Sequence, residues 1–366
     1  MVISRSTSTC ISVPGVNKLK RTDQDSDRVF VPPGESAMTL PPELRCVIHQ
    51  RQFSESGDRS ALICEEGCRV PVVNNIPRFV SSENYAAAFG LQWNVFKKQM
   101  LDSFSGTTIF RDRLIGCLGG SLDVVRNKKV LEVGCGAGPF TEVLLSAGAT
   151  VFACDLSNAV EANYENCCHS SKYFVCQADV YALPAQPNSF DVVLCLGVVQ
   201  HTPDPEKTIA TLARYLKPDG LLVIDHYSPS YPRPFSRRIL RAFLLRLPSS
   251  LTTKITLGLA RTLVQVHKLT WNQRRGVWRV RRFLQFHSPL VDQYDDLPQL
   301  GPELLGEWSV VITHDTLTDH YKHLRSVEQI SACLAECGLT QIETYYGGNG
   351  VEARARRPMS KVQAKA

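Results

Sequence analysis

No uncharged apolar run in the 366 residues approaches the ~20 needed to cross a bilayer, which excludes a membrane-spanning helix. Met1 to Cys10 lack the apolar core of a secretory signal. Internal repeats are missing too. The thirteen cysteines form no even, spaced framework of the kind that staples a small secreted chain, and Cys135, Cys154, Cys176 and Cys195 fall inside apolar runs. They read as reduced, buried thiols, which gives a cytoplasmic expectation.

What is present is ordinary for a globular protein: 43% hydrophobic, 21% charged and 8% aromatic residues, with length for about two domains. Lys and Arg number 41 against 35 Asp and Glu, and the net +6 by itself points to no partner. The distribution is more informative. Residues 231–290 hold 13 Lys or Arg and no Asp or Glu, so the rest of the chain sums to −7.

Residues 1–40, rich in Ser, Thr, Asp and Pro without a period, predict a flexible tail. A cysteine-bearing module over 41–80 follows. Over 81–126 Trp93, Phe96, Met100 and Phe104 fall on one helical face, predicting a helical linker. From Lys128 short β runs alternate with helices: strands at 129–133, 150–154, 173–176, 190–196 and 220–225, with helices at 139–147 and 204–216 between them. The alternation predicts a parallel sheet covered on both faces. Residues 228–307 form a basic helical insertion, in which Leu240, Phe243, Leu244 and Leu247 sit at helical spacing beside arginines. The core resumes over 308–358 with a helix at 327–337 and two last strands, 340–345 and 351–356.

The sharpest motif is Val130-Leu-Glu132-Val-Gly134-Cys135-Gly136-Ala-Gly138-Pro-Phe140, a buried strand running through a glycine turn into a helix. Glycines let backbone approach a ligand closely and aim amide N–H groups at it. The dinucleotide fingerprint is G-x-G-x-x-G; here the third glycine comes one residue early and Pro139 opens the helix, which counts against a pyrophosphate ligand. Asp155 ends the next strand, 21 residues after Gly134, where a carboxylate takes a ribose diol. Asp179 closes the strand after that. Asp191 and Asp204 read as structural, Asp204 as a helix N-cap.

This ordered set resembles the class I S-adenosylmethionine-dependent methyltransferases over residues 127–227. The resemblance implies an α/β, Rossmann-like seven-stranded sheet with helices on both faces. It implies S-adenosyl-L-methionine as cofactor, with Glu132, Gly134, Cys135 and Gly136 at its methionine part. Asp155 and Leu156 would lie at the ribose, Asp179 and Val180 at the adenine, and Leu196 and Gly197 along the methionine moiety after the fourth strand. Leu216-Lys-Pro-Asp219-Gly resembles the family's L-K-P-G-G turn with Asp219 in place of a glycine.

Cys46-x2-His49 and Cys64-x3-Cys68 are two short-spaced pairs, each able to supply two ligands to a tetrahedral Cys3His zinc site. The segment Pro71-Val-Val-Asn-Asn-Ile-Pro-Arg-Phe79 resembles the exit of a zinc-ribbon-like module that precedes several bacterial methyltransferases. The same spacing also suits a ribbon that has lost its metal.

Methyl transfer from a sulfonium is an in-line displacement, and a base is needed only for a nucleophile that holds its proton tightly. Candidate acceptor-side groups are His201, His226, Tyr227, the pair His314 and Asp315 after a strand-like run 308–313, and His320 with Tyr321. Packing or capping is the competing account of each. The basic insertion implies an anionic acceptor or peripheral contact with an anionic membrane, or else a helical cap with solvated arginines. Three functions follow: methylation of a small-molecule, sugar or lipid-linked acceptor at O or C; methylation of ribosomal RNA; or a non-catalytic cofactor-binding membrane adaptor. The loop Leu196-Gly-Val-Val-Gln-His201 lacks the proline-centred sequence typical of amino-group methylation, which favours the first.

Overall fold

The computed structural model describes residues 38–81, 84–271 and 277–359. The predicted tail through residue 37 lies outside the described residues, as do Cys10, Arg274 and Arg275. In the N-terminal module β1 (Phe53–Glu55), β2 (Ala61–Cys64), β3 (Arg69–Val73) and β4 (Ile76–Pro77) form an antiparallel meander. Asn74 and Asn75, both at positive φ (54° and 61°), make the two-residue turn that pairs Val73 with Ile76. Asparagine tolerates that region better than other side chains with a Cβ.

The stretch 81–126 does not form the single helix that its spacing predicts. It breaks into α1 (Ala87–Val95), α2 (Asp102–Ser105) and α3 (Ile109–Leu118). Gly106 at φ +68° ends α2, and the Asp102 carboxylate accepts from the amides of Phe110 and Arg111 (3.1 and 2.8 Å), turning the chain. Phe104 is exposed in consequence, while Phe96 and Met100 reach the core from the non-helical connection.

The core is built from β5 (Lys129–Val133), α4 (Pro139–Ser146), β6 (Thr150–Asp155), α5 (Val160–Cys167), β7 (Tyr173–Gln177), β8 (Phe190–Cys195), α6 (Pro205–Ala213) and β9 (Leu216–His226). The insertion contributes α7 (Phe235–Leu244), α8 (Ser249–Trp271), α9 (Trp278–His287) and α10 (Gly301–Thr318). The chain then closes with α11 (Val327–Glu336), β10 (Thr340–Gly347) and β11 (Gly350–Arg356). Sheet order is β10-β11-β9-β8-β5-β6-β7, with β7 to β9 parallel and β11 antiparallel to both neighbours. The central strands read as near-continuous apolar runs because helices cover both faces.

Strand order reverses between β5 and β8. At such a point the loops leave in opposite directions and open a crevice at the carboxyl ends of the strands. Asp191 is structural as expected, accepting from the Lys129 amide and from Lys217 (2.8 and 2.9 Å). Asp204 caps α6 by accepting from the Lys207 amide (2.9 Å). Asp219 sits at φ +62°, where the resembling family carries glycine.

Residues 308–313 are corrected from strand to helix: they lie inside α10, which packs on α8 and α7, so no boundary falls at 308. Apolar residues there are continuous because α10 is covered almost all round, and a short run of that kind does not distinguish strand from buried helix.

Candidate active site

A cavity of about 1040 Å³ fills the crevice. Gly134 to Gly136, Asp155, Leu156, Ala178, Val180 and Leu196 to Val198 line one side of it. All but Ala178 and Val198 are residues the sequence singles out, brought together from the ends of β5, β6, β7 and β8, whereas Glu132 and Asp179 are not in the lining.

The glycine loop departs from the expectation that its amides face the ligand. Gly134 and Cys135 donate to the Cys154 carbonyl (2.7 and 3.1 Å), Gly138 to the Cys135 carbonyl (3.0 Å) and Gly136 to Asp155 Oδ2 (3.0 Å). Pro139 has no N–H to give. A pyrophosphate would need those donors free, so the loop suits a ligand without phosphate in the cavity. Gly134, at φ +78°, passes so close to the next loop that a Cβ there would sit inside the Val198 side chain.

Asp155 accepts three hydrogen bonds, from Gly136 N and from the amide and hydroxyl of Ser157 (2.8 and 2.7 Å). A carboxylate has about four acceptor positions, which leaves room for one hydroxyl donor from the cavity. Burial pushes its carboxyl above the usual range, against those three bonds. Asp179 uses its side chain on the Tyr181 amide (3.0 Å), while its neighbours Ala178 and Val180 form the cavity wall.

Glu132 is placed differently from its sequence reading. It lies buried beneath the loop, outside the cavity lining, and accepts from the Thr141 hydroxyl (2.6 Å). Asn163 donates to Thr141 Oγ1 (3.1 Å) and accepts from the Tyr173 hydroxyl (2.6 Å), so a buried polar chain supports the loop from below. Burial pushes the Glu132 carboxyl up to about 8, and the nearby Asp155 charge adds to this.

Much of the remaining cavity wall comes from elements with no motif: Tyr85, Phe89 and Trp93 around α1, Arg113 on α3, Tyr227 and Tyr231 after β9, and Trp308, Val311, Ile312 and Asp315 on α10. Of the candidate acceptor-side groups, His201, Tyr227 and Asp315 reach the cavity, whereas His226, His314, His320 and Tyr321 do not. His314 is buried against Gln92 (2.7 Å) and Thr253 (3.3 Å), and burial lowers it to about 4. Its pairing with Asp315 is therefore corrected, because adjacent residues on a helix point about 100° apart.

His201 bonds the Tyr321 carbonyl through Nδ1 (3.0 Å), so Nδ1 carries the proton and Nε2 the lone pair. Burial lowers it to about 4, and its ring meets Tyr227 edge-on at 5.2 Å. Burial, with Asp319 nearby, pushes Asp315 up to about 7. Sequence reasoning missed Arg113. Its guanidinium pairs with the buried Asp225, whose other oxygen accepts from Gly197 N (2.6 Å), fixing the loop after β8. A single arginine in a helical stretch gives no signal for this.

In the N-terminal module, the ligand atoms of Cys46, His49, Cys64 and Cys68 all lie within 4.8 Å of one another. His49 Nδ1 is 3.9, 3.7 and 3.4 Å from the three sulfurs. A tetrahedron with Zn–N of ~2.05 Å and Zn–S of ~2.3 Å has N···S edges of roughly 3.6 Å, so the four residues fit zinc with no open position.

A family model described as a methyltransferase domain matches residues 131–224. The chain is similar to a ubiquinone biosynthesis O-methyltransferase of Methylococcus capsulatus, 33% identical over 123 residues, covering 33% of this chain and 48% of that protein. It is 42% identical over 97 residues to the protein of that name from Thiobacillus denitrificans, covering 25% and 41%. The chain thus spans less than half the length of these curated relatives. An O-methyltransferase family protein from Burkholderia thailandensis overlays on 71% of this chain and 60% of its own at 10% identity and a TM-score of 0.40, too loose to carry a functional argument. The sheet order, the glycine loop braced on Asp155 and the matching domain model make the core of this chain a class I S-adenosylmethionine-dependent methyltransferase domain.

Proposed function

We propose that the chain methylates a small or lipid-linked, largely apolar acceptor at a hydroxyl oxygen. The observation that carries this reading is Asp315, a half-buried carboxyl that lines the cavity together with Trp308, Val311, Ile312, Tyr227 and Tyr231. An apolar wall suits an aromatic or prenyl-bearing molecule, and one acid near neutrality suits removal of one proton. The names of the relatives over the matched segment agree with O-methylation.

The cofactor, when bound, supplies a methyl group made electrophilic by its sulfonium. Asp155 would offer its remaining acceptor position to a ribose hydroxyl with Leu156 beside it, and Val180 would hold the base. The Gly197 loop, held by Asp225 and Arg113, would border the methionine part. On the acceptor side Asp315 takes the hydroxyl proton as the oxygen attacks. His201, neutral and fixed by Tyr321, presents Nε2 to orient that hydroxyl. The four residues Cys46, His49, Cys64 and Cys68 would hold a structural zinc.

The test is transfer of labelled methyl from S-adenosylmethionine to separate pools of phenols, prenyl phenols, sugars and bulk RNA. Label in a phenol pool, lost in Asp155→Asn, is the expected result. Label confined to RNA or sugar overturns the reading.

A further inference from the structure

Helices α7 and α9 carry their exposed apolar side chains outward in rows. On α7 these are Phe235, Ile239 and Phe243, one turn apart, with Arg238 exposed on the helix and Arg246 just past its end. On α9 they are Trp278, Phe283 and Phe286, with Arg279 and Arg282 exposed among them. Phe235 is 74% exposed and Phe286 72%, more than packing within one chain accounts for.

The inward arginines have a different role. Arg237 donates to the Pro289 and Leu290 carbonyls (3.1 and 2.8 Å), Arg241 to Asp319 (2.6 Å) and Arg281 to Asp292 and Asp295 (3.1 and 2.8 Å). Their charges are matched by acids or carbonyls inside the fold. Among the described residues no carboxylate pairs with Arg238, Arg246, Arg279 or Arg282, and the sequence supplies no acid anywhere from 231 to 290. The bond between Arg237 and the segment after α9 joins the start of one helix to the end of the other. Tyr231, Pro232, Arg237 and Val291 at that junction also belong to the cavity wall.

We propose that α7 and α9 lie on an anionic lipid bilayer, their aromatic and aliphatic side chains entering the headgroup–acyl boundary and their outward arginines facing lipid phosphates. Apolar groups with interleaved cations and no acids are what an interfacial helix needs. A second copy of the chain fits poorly, because face-to-face contact would oppose arginine with arginine. RNA accounts for the arginines but leaves Ile239 and Val280 without a role. The junction at Tyr231 and Val291 then lets a membrane-dissolved acceptor reach the cavity without crossing bulk water; this last step alone rests on the small-acceptor reading.

The test is sedimentation of the full chain with vesicles of phosphatidylcholine containing 30% phosphatidylglycerol, and with phosphatidylcholine alone, at low and 0.5 M salt. Binding to the anionic vesicles is expected, at least ~10-fold weaker in high salt and in the neutral vesicles. Phe243→Glu with Phe286→Glu should weaken it ~10-fold or more while S-adenosylmethionine affinity, measured by calorimetry, stays within about twofold. Retained cofactor affinity shows that the variant folds. Absent or variant-independent vesicle binding overturns the proposal, as does RNA binding in its place, or a dimer dispersed by the same substitutions. No acceptor enters this assay, so its failure leaves O-methylation standing, and failure to methylate phenols leaves the bilayer contact standing.

Discussion

The amide of Gly136, after β5, donates at 3.0 Å to the carboxylate of Asp155, at the end of β6. One residue thus shapes the glycine loop and faces the cavity. Asp155→Asn keeps the size of the side chain, removes the charge and leaves a single oxygen to accept from Gly136 and Ser157. Loss of hydrogen bonds to an ionised acceptor, ~1.5–3 kcal/mol, predicts ~10- to 100-fold weaker S-adenosylmethionine binding by calorimetry. Unchanged affinity would remove Asp155 from the cofactor site.

Gly134 and Val198 form a second lock on the same crevice, with no room for a Cβ between them. Gly134→Ala should lower the melting temperature by several degrees and weaken cofactor binding, through both the clash and the left-handed backbone. Adding Val198→Ala should recover part of the loss but not the backbone share. Equal behaviour of single and double variants in a thermal scan would mean that the contact is not formed.

Asp315 acts as a base only when ionised, so the methylation rate should rise with pH through about 7. Asp315→Asn should lower kcat by ~10²- to 10⁴-fold, flatten that limb and leave cofactor affinity unaltered. A variant with the wild-type pH profile would assign the proton to another group.

Metal analysis of the purified chain should find one zinc per molecule, and Cys64→Ser should lower both occupancy and melting temperature. The N-terminal module is joined to the core through Phe79 N to Gln177 O (2.8 Å) and Arg45 N to Pro184 O (3.0 Å), so chelation should also loosen the end of β7 that leads into Ala178. Metal content near zero with an unchanged melting curve would leave a ribbon without metal.

Stability should fall at both ends of the pH range. His201, His226 and His314 are lowered by burial to about 4 from an unfolded value near 6.5, so the stability they add is present above ~6.5 and is lost as pH falls through about 4. Glu132 is raised to about 8, so its share is present below the unfolded value and is lost as pH rises through about 8. Glu132→Gln should therefore show a shallower fall in melting temperature between pH 7 and 9. An identical slope would mean that Glu132 stays ionised.

The strands were legible where a single physical cause writes the pattern. Lys129–Val133 and its parallel neighbours are apolar because helices bury both faces, and their ends could be read to within a residue or two. Asp204 announced itself as a cap by standing before Pro205 and Glu206. Residues 81–126 and 308–313 misled because core contact does not require regular structure: Met100 is buried from a turn, and α10 is apolar on nearly every side. Glu132 carried a motif position but not its orientation. Alternation along β5 is erased when both faces are dry, so the side of the sheet it serves is invisible in sequence.

By itself the sequence determined the alternating α/β core, the cofactor crevice at successive strand ends, the four Cys and His positions and the acid-free basic block, because each depends on local spacing or composition. Tertiary structure alone decided the rest of the cavity wall. Phe89, Arg113 and Tyr231 converge with Asp315 from elements as much as 226 residues apart, and nothing in the local spacing of those three marks them. It also sorted the arginines, turning Arg237, Arg241 and Arg281 inward to carbonyls and acids and leaving Arg238 and Arg282 outward, since a charge is structural only when the fold brings it a partner.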